Sequence, residues 1–215
     1  SFCEDKKMLF LILCHIDLIK DDPQLSEESL ADLNIVEKHA GNCRNIISDL
    51  LRFARQTKPS LNRASVNDVI SEVVSMVTNQ MGMQSIQVET RFEENIPYVS
   101  IDIDRIKQVI LNLLINSSQA IEERGLIRIY TSYVSEKSMV RIVIEDNGGG
   151  IPDNLKDKIF DPFFTTKAPG KGTGLGLSVS YGIIQEHGGT ITVEDGPAKT
   201  TCFRIDLPME DVEHE

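Results

Sequence analysis

Apolar positions along the chain fall into two regimes. As far as Ala54 they recur at helical spacing, and beyond Ser60 helical stretches alternate with short runs of Val and Ile. Met8 to Ile19 is apolar almost all round, which predicts a helix buried on more than one side. Lys20-Asp21-Asp22-Pro23-Gln24 predicts a turn. Ser26 then fits an N-cap, with Glu27 and Glu28 placed favourably against the dipole of a second helix. From Leu30 its apolar positions run Leu33, Val36 or Glu37, Ala40, Cys43, Ile47, Leu50 and Ala54, close to the heptad spacing of a helical seam. Two helices alone cannot bury that surface. A homodimeric four-helix bundle buries it most economically; the alternative is a hairpin packed on the rest of the monomer.

Lys58-Pro59-Ser60 breaks the second helix and marks a linker. Beyond it, Val66 to Met81 and Asp102 to Ile121 read as amphipathic helices, and Ile86 to Phe92 and Tyr98 to Ile101 as strands. Leu126 to Val134 and Met139 to Asp146 alternate at period two and predict a hairpin across Ser135 to Ser138. Ser178 to His187 predicts a helix, followed by strands over Thr190 to Glu194 and Thr201 to Leu207. The fold class is therefore α+β. A helical hairpin over residues 1–58 precedes an α/β sandwich over residues 62–210, with a mixed, mostly antiparallel sheet and helices on one face.

Charge narrows the partners. The chain has 215 residues, a formal net charge of −11 and no Lys/Arg run, whereas a nucleic-acid binder needs a basic face. No nucleic-acid partner is expected. The four cysteines, Cys3, Cys14, Cys43 and Cys202, lie far apart with no CxxC and read as ordinary cytosolic thiols. The apolar run Met8 to Cys14 is far shorter than the roughly 20 residues of a membrane helix. The chain opens in mid-pattern and reads as a cytoplasmic piece of something longer, touching a membrane only through segments absent from it.

Candidate chemistry lies in four clusters. In Asn112-Leu113-Leu114-Ile115-Asn116 the two amides share one helix face, and an amide oxygen is a hard ligand of the kind magnesium takes. The plain alternative is two surface asparagines. Asp146-Asn147-Gly148-Gly149-Gly150-Ile151-Pro152 follows a Val/Ile strand; its glycines permit close approach, and Asp146 could accept from an exocyclic amine. The alternative is a glycine turn with an acidic lead-in. Asp161-Pro162-Phe163-Phe164-Thr165-Thr166-Lys167 sets aromatics beside hydroxyls and a cation, or else anchors a packed loop. Gly170-Lys171-Gly172-Thr173-Gly174-Leu175-Gly176-Leu177-Ser178 leads into a helix, where exposed amides and the dipole favour an anion. No acidic residue occurs from Pro162 to Gln185, which suits a polyphosphate.

In this order the clusters resemble the N, G1, F and G2 boxes of the GHKL ATPase superfamily. Gln108 to Leu114, Asp161 to Lys167, Gly170 to Ser178, Gln185-Glu186-His187-Gly188-Gly189 and Phe203 to Pro208 are most similar to sensor histidine kinases of two-component systems. The helix over Asn42 to Gln56 resembles the second helix of that family's dimerisation domain. The resemblance implies a homodimer that binds ATP with Mg2+ and transfers the γ-phosphoryl to a histidine, then to the receiver domain of a response regulator. It implies Asn116 as the magnesium ligand and Asn112 as its phosphate-side, catalytic partner. Asp146 would take the adenine amine with Thr201 helping through water, and Gly148, Gly150 and Ile151 would let the nucleotide approach. Phe164, Thr165, Thr166 and Lys167 would border the phosphates. Lys171, Gly172, Thr173, Gly174, Leu175, Gly176 and Leu177 would form a short ATP lid and the phosphate-facing helix start. Gln119 stands where many members carry a basic residue.

The match breaks at the phosphoacceptor. The family's motif is a histidine, then an acid, ending in a Pro-Leu pair. Placed on the first helix it puts Cys3 at the histidine's position, Glu4 at the catalytic acid's, and Lys7, Met8 and Leu9 at the end. Either the acceptor is replaced or the register differs. His15 lacks the acidic neighbour and reads as a bundle residue; His39, His187 and His214 do not resemble acceptors. Two functions remain open, a kinase core and a nucleotide-binding pseudokinase or scaffold. Another GHKL member, such as an anti-sigma-factor kinase or gyrase-type ATPase, is disfavoured by the Leu30 to Ala54 seam and the Phe163-Phe164 pair.

Overall fold

The computed structural model describes residues 2–22, 25–54, 59–83, 85–122, 124–167, 172–197 and 200–209. Within these, the side chains of residues 2–7, 9, 10, 38, 42, 44–54, 79, 80, 82 and 83 lie outside the description. The chain divides into two compact units, Ser1–Thr57 with Phe163–Gly176, and Lys58–Pro162 with Leu177–Glu215.

In the first unit, α1 (Phe2–Lys20) and α2 (Glu27–Ala54) pack as a hairpin. The Ser26 hydroxyl accepts from Ser29 N–H at 3.1 Å, which caps α2 as its sequence predicts. Lys20, in the last turn of α1, donates to Glu37 of α2. Within one chain α1 is only partly covered. Ile16 is buried, yet Met8, Leu11, Ile12, Leu18 and Ile19 are exposed, Leu18 to 69%. At the helical period those positions fall on one side of α1, so they form one apolar stripe rather than scattered exposure. No described helix is long and apolar enough to cross a membrane.

The second unit is built on a five-stranded sheet. Its strands are β2 (Ile86–Phe92), β4 (Gly125–Val134), β5 (Met139–Asp146), β6 (Thr190–Asp195) and β7 (Thr201–Pro208), in the order β2-β4-β5-β7-β6. Only β2–β4 is parallel; the other pairs are antiparallel. A parallel pair needs a crossover. Here α4 (Ile103–Ala120) lies between β2 and β4 in sequence and packs on β4 and β5. β1 (Asn62–Ala64) and β3 (Val99–Ile101) form a separate two-stranded ribbon, and α3 (Val66–Met83) packs on β2 and α4. Two short elements were not expected from periodicity, β1 and the single turn α5 (Asp153–Lys156).

Alternation explains the layering. Ile127, Ile129, Ile142, Ile144, Phe203 and Ile205 are buried on one sheet face. The α4 residues Ile106, Val109, Ile110, Leu113 and Leu114 are likewise buried, as are Ile183 and Ile184 of α6 (Gly176–Glu186). The opposite face is polar: Arg141 of β5 grips Asp206 of β7 with two bonds, at 2.7 and 2.9 Å. Asp102 caps α4, its side chain accepting from Arg105 N–H at 3.2 Å and Ser60 N–H at 2.9 Å.

Candidate functional site

Asp146 is the last residue of β5 and is 2% exposed. A buried carboxylate must find donors. Ser117 of α4 donates to its Oδ2 at 2.7 Å, and the Gly148 N–H donates to Oδ1 at 3.0 Å. Thr201, the register partner of Asp146 on β7, bonds the same carboxyl through its hydroxyl. Burial still pushes the carboxyl above its ordinary range, because desolvation outweighs these bonds; Glu145 adds to the rise.

The glycine turn that follows divides by function. At Gly148 a Cβ would meet Asp146 Oδ1 at 2.8 Å and the Ala120 carbonyl at 3.0 Å, so no side chain fits. Gly150 has φ of 73°, a left-handed conformation that suits glycine. Gly149 meets nothing within 4 Å and is under no such constraint. Asn147 extends the ladder: its Oδ1 accepts from Leu126 N–H at 2.8 Å, and its own N–H donates to the Leu126 carbonyl at 3.2 Å. Ile151, half-buried, continues the turn to Pro152.

Asn112 and Asn116 are half-buried on α4, one turn apart and off its fully buried stripe. Asn112 Nδ2 donates to Ser180 Oγ of α6 at 3.4 Å. An amide oxygen at Asn116 fits a magnesium ion that is held mainly by phosphates and water. Among the described residues no group of three or more His, Cys, Asp or Glu side chains forms a metal cage.

The loop Phe163–Gly176 belongs to the first unit. Phe163 has φ of 67°, and its N–H donates to the Gly174 carbonyl at 3.0 Å, which ties the two ends of the loop. Gly174 has φ of 68°, and a Cβ there would lie 2.4 Å from the Phe163 carbonyl carbon. Within the loop the Thr165 hydroxyl accepts from Lys167 N–H at 3.2 Å, and Thr173 accepts from Leu175 N–H at 3.4 Å. A Cβ on Gly172 would meet Thr165 Oγ1 at 2.9 Å. Burial lowers the Lys167 ammonium from its ordinary value. Phe164 and Leu177 are half-buried, Leu175 is buried and Thr166 is exposed. Lys171 lies outside the described residues, as do the side chains of Cys3, Glu4, Lys7, Ile47 and Leu50.

Two participants escaped the sequence reading, Ser117 and Ser180. Both are buried, at 1% and 0% exposure. The available signal was a hydroxyl at a helix position that the apolar period assigns to the core.

A buried acid ending a central strand, a constrained glycine turn and paired amides on the covering helix define an ATP-binding fold of one class. Residues 101–211 match the histidine kinase-, DNA gyrase B-, and HSP90-like ATPase family, and the chain belongs to it. Within that family it stands with the sensor histidine kinases of two-component systems. It is 39% identical over 177 residues to the signal transduction histidine-protein kinase AtoS of Escherichia coli (strain K12), covering 82% of this chain and 29% of AtoS. The catalytic domain of histidine kinase ThkA superposes with a TM-score of 0.63 at 35% identity, over 69% of this chain and 95% of that one. ThkA in complex with response regulator protein TrrA superposes with a TM-score of 0.72 at 26% identity, over 99% of this chain and 60% of that one. The chain thus spans a minor part of the length of the curated relatives it matches, 37% in the case of the E. coli K12 kinase ZraS.

Proposed function

We propose that this chain is the kinase core of a two-component sensor, binding Mg-ATP and passing the γ-phosphoryl to a histidine and then to a response regulator's receiver domain. The observation that carries the reading is Asp146, a buried carboxylate braced by Ser117, Gly148 and Thr201 beside a turn that excludes side chains. Such a group accepts the exocyclic amine of adenine. Asn112 and Asn116 serve the phosphate end, Asn116 as the magnesium ligand; the bound ion would neutralise phosphate charge. Thr165, Thr166, Lys167 and the loop through Lys171 to Gly176 supply further phosphate-side groups and the lid. The chain's task is positioning and charge stabilisation, since phosphoryl transfer needs little covalent help from the protein. At an acceptor histidine, an N–P bond forms as the bond to ADP breaks and the imidazole gives up its proton to a neighbouring acid; in this chain Glu4 stands at that acid's position, beside Cys3.

The exposed stripe Met8, Leu11, Ile12, Leu18 and Ile19 supports a second copy of the chain packed on α1, completing a four-helix bundle. The cytoplasm is the compartment this reading requires, because both ATP and the regulator are found there.

One observation favours a second reading, a nucleotide-binding pseudokinase. Cys3 occupies the position where the family's motif places histidine. His15 on the same helix has its Nδ1 3.0 Å from the Leu11 carbonyl. Calorimetric titration with a non-hydrolysable ATP analogue, with and without magnesium, tests the site. Incubation with labelled ATP then separates the readings: acid-labile label on the protein supports the kinase, and binding without label supports the pseudokinase.

A further inference from the structure

Ser117 is a hydroxyl in the core stripe of α4, in line with Ile106, Val109, Ile110, Leu113 and Leu114. Packing alone would be served by alanine, and a buried hydroxyl is tolerated only where it is bonded. The bond it makes is to Asp146 Oδ2, at 2.7 Å. With the Gly148 N–H and the Thr201 hydroxyl, three protein donors converge on one carboxylate.

An ionised carboxylate only accepts, through about four lone-pair positions, whereas a protonated one also donates. The protein's donors meet both oxygens, Ser117 at Oδ2 and Gly148 at Oδ1, and so favour the form in which both oxygens accept fully. We propose that Ser117 is a positioning and specificity-determining residue for the nucleotide base. It holds Asp146 as an acceptor-only carboxylate, so that the base edge facing it must donate, and aminopurines are selected over oxopurines. The inference rests on the reading of Asp146 as the base-contacting group.

The surroundings leave this task to hydroxyls and a backbone amide rather than to a cation. The titratable groups that bear on Asp146 are Glu145, its neighbour on β5, and Cys202 on β7, whose thiol burial pushes up. Both add negative charge when ionised and so favour the proton on Asp146. From α4 comes Ser117, and Ile127 of β4 is the register partner; neither titrates. Arg128 on β4 is engaged elsewhere, with Glu89 at 3.6 Å and Glu145 at 3.9 Å. Removing the Ser117 hydroxyl therefore shifts Asp146 toward its protonated form, which presents a donor and suits the O6 acceptor of hypoxanthine.

The test is calorimetric titration of the full chain and its Ser117 variants with non-hydrolysable analogues of ATP and of ITP, from mildly acidic to mildly alkaline pH. Ser117→Ala is expected to weaken the ATP analogue about tenfold, the scale of a hydrogen bond to a charged group. It should also move the acid limb of the affinity profile to higher pH and narrow the preference for ATP over ITP. Ser117→Thr should restore both, and Ser117→Cys, a weaker donor of similar volume, should fall between. A Ser117→Ala profile and preference equal to the native chain's, with Asp146→Asn still abolishing binding, would overturn the proposal and leave the base-contact reading standing. Native-like affinity in Asp146→Asn would overturn both.

Discussion

The backbone N–H of Asp102 donates to Nε2 of His187 at 2.9 Å, across a sequence separation of 85. Nδ1 of the same ring lies 2.7 Å from the Ile183 carbonyl. A carbonyl only accepts, so the ring is neutral with its proton on Nδ1. This buried imidazole ties the start of α4, which carries the paired amides, to the end of α6. Replacing it with alanine strands the Asp102 N–H, while the Ile183 carbonyl keeps the backbone N–H of residue 187 at 3.2 Å. His187→Ala should lower unfolding stability by about 1–3 kcal/mol, read as a lower urea midpoint. An unchanged midpoint would show that water takes over the Asp102 bond.

Asp146 costs stability where it is ionised. Burial raises its carboxyl above the unfolded value. Its share of stability is therefore present below the ordinary carboxylate range and is lost as pH rises through the raised value. At neutral pH the ionised group lowers stability. Asp146→Asn should then be at least as stable as the native chain at neutral pH, with the difference closing on acidification, while nucleotide affinity disappears. Urea titrations at neutral and acidic pH, paired with analogue titration, check both halves. A variant less stable at neutral pH would mean that the three donors outweigh burial.

Asn116→Asp places a second negative charge where phosphates are proposed to bind. Magnesium-dependent affinity for the ATP analogue should fall at least about tenfold, or roughly 1.4 kcal/mol, with the fold retained by circular dichroism. Retained affinity would move the metal ligand elsewhere.

The loop ends meet at Phe163 and Gly174, both with positive φ. Gly174→Ala is strained by its backbone and blocked by the Phe163 carbonyl. Affinity should drop by about tenfold, consistent with 1–3 kcal/mol of strain. Gly149→Ala, which meets open space, should bind like the native chain. Equal behaviour of the two variants would remove the loop closure from the binding reaction.

Leu11 and Leu18 are both exposed on one stripe of α1. The double change Leu11→Glu with Leu18→Glu should yield monomers by sedimentation at micromolar concentration. A persistent dimer would put the interface on the α2 seam around Ile47 and Leu50.

Much of this architecture was legible because its periods are clean. The β4–β5 hairpin announces itself by strict alternation, and α4 by an apolar stripe with Asp102 at its head. β1 and α5 are too short for either period to register. Strand direction is not written in alternation, so the parallel β2–β4 pair could be read only as part of a mixed sheet. For the candidate site, the resemblance singled out Asp146, the amides and the glycines. Ser117 and Ser180 stayed hidden because a hydroxyl among apolar residues looks like a neutral filler until its partner, distant in sequence, is known. The apolar pattern of α1 predicts burial on more than one side but does not say which chain supplies the cover.

Strand β7 lies between β5 and β6, and β6 pairs with nothing else in the sheet. The sheet is therefore completed from its interior, by its last strand in sequence. While the polypeptide emerges from the ribosome, the β4–β5 hairpin can assemble early, yet β6 has no berth and Asp146 lacks Thr201 until residues 201–208 arrive. On the proposed reading, a chain that stops short of residue 201 is silent toward nucleotide, because its sheet is unfinished and Asp146 lacks its partner on β7.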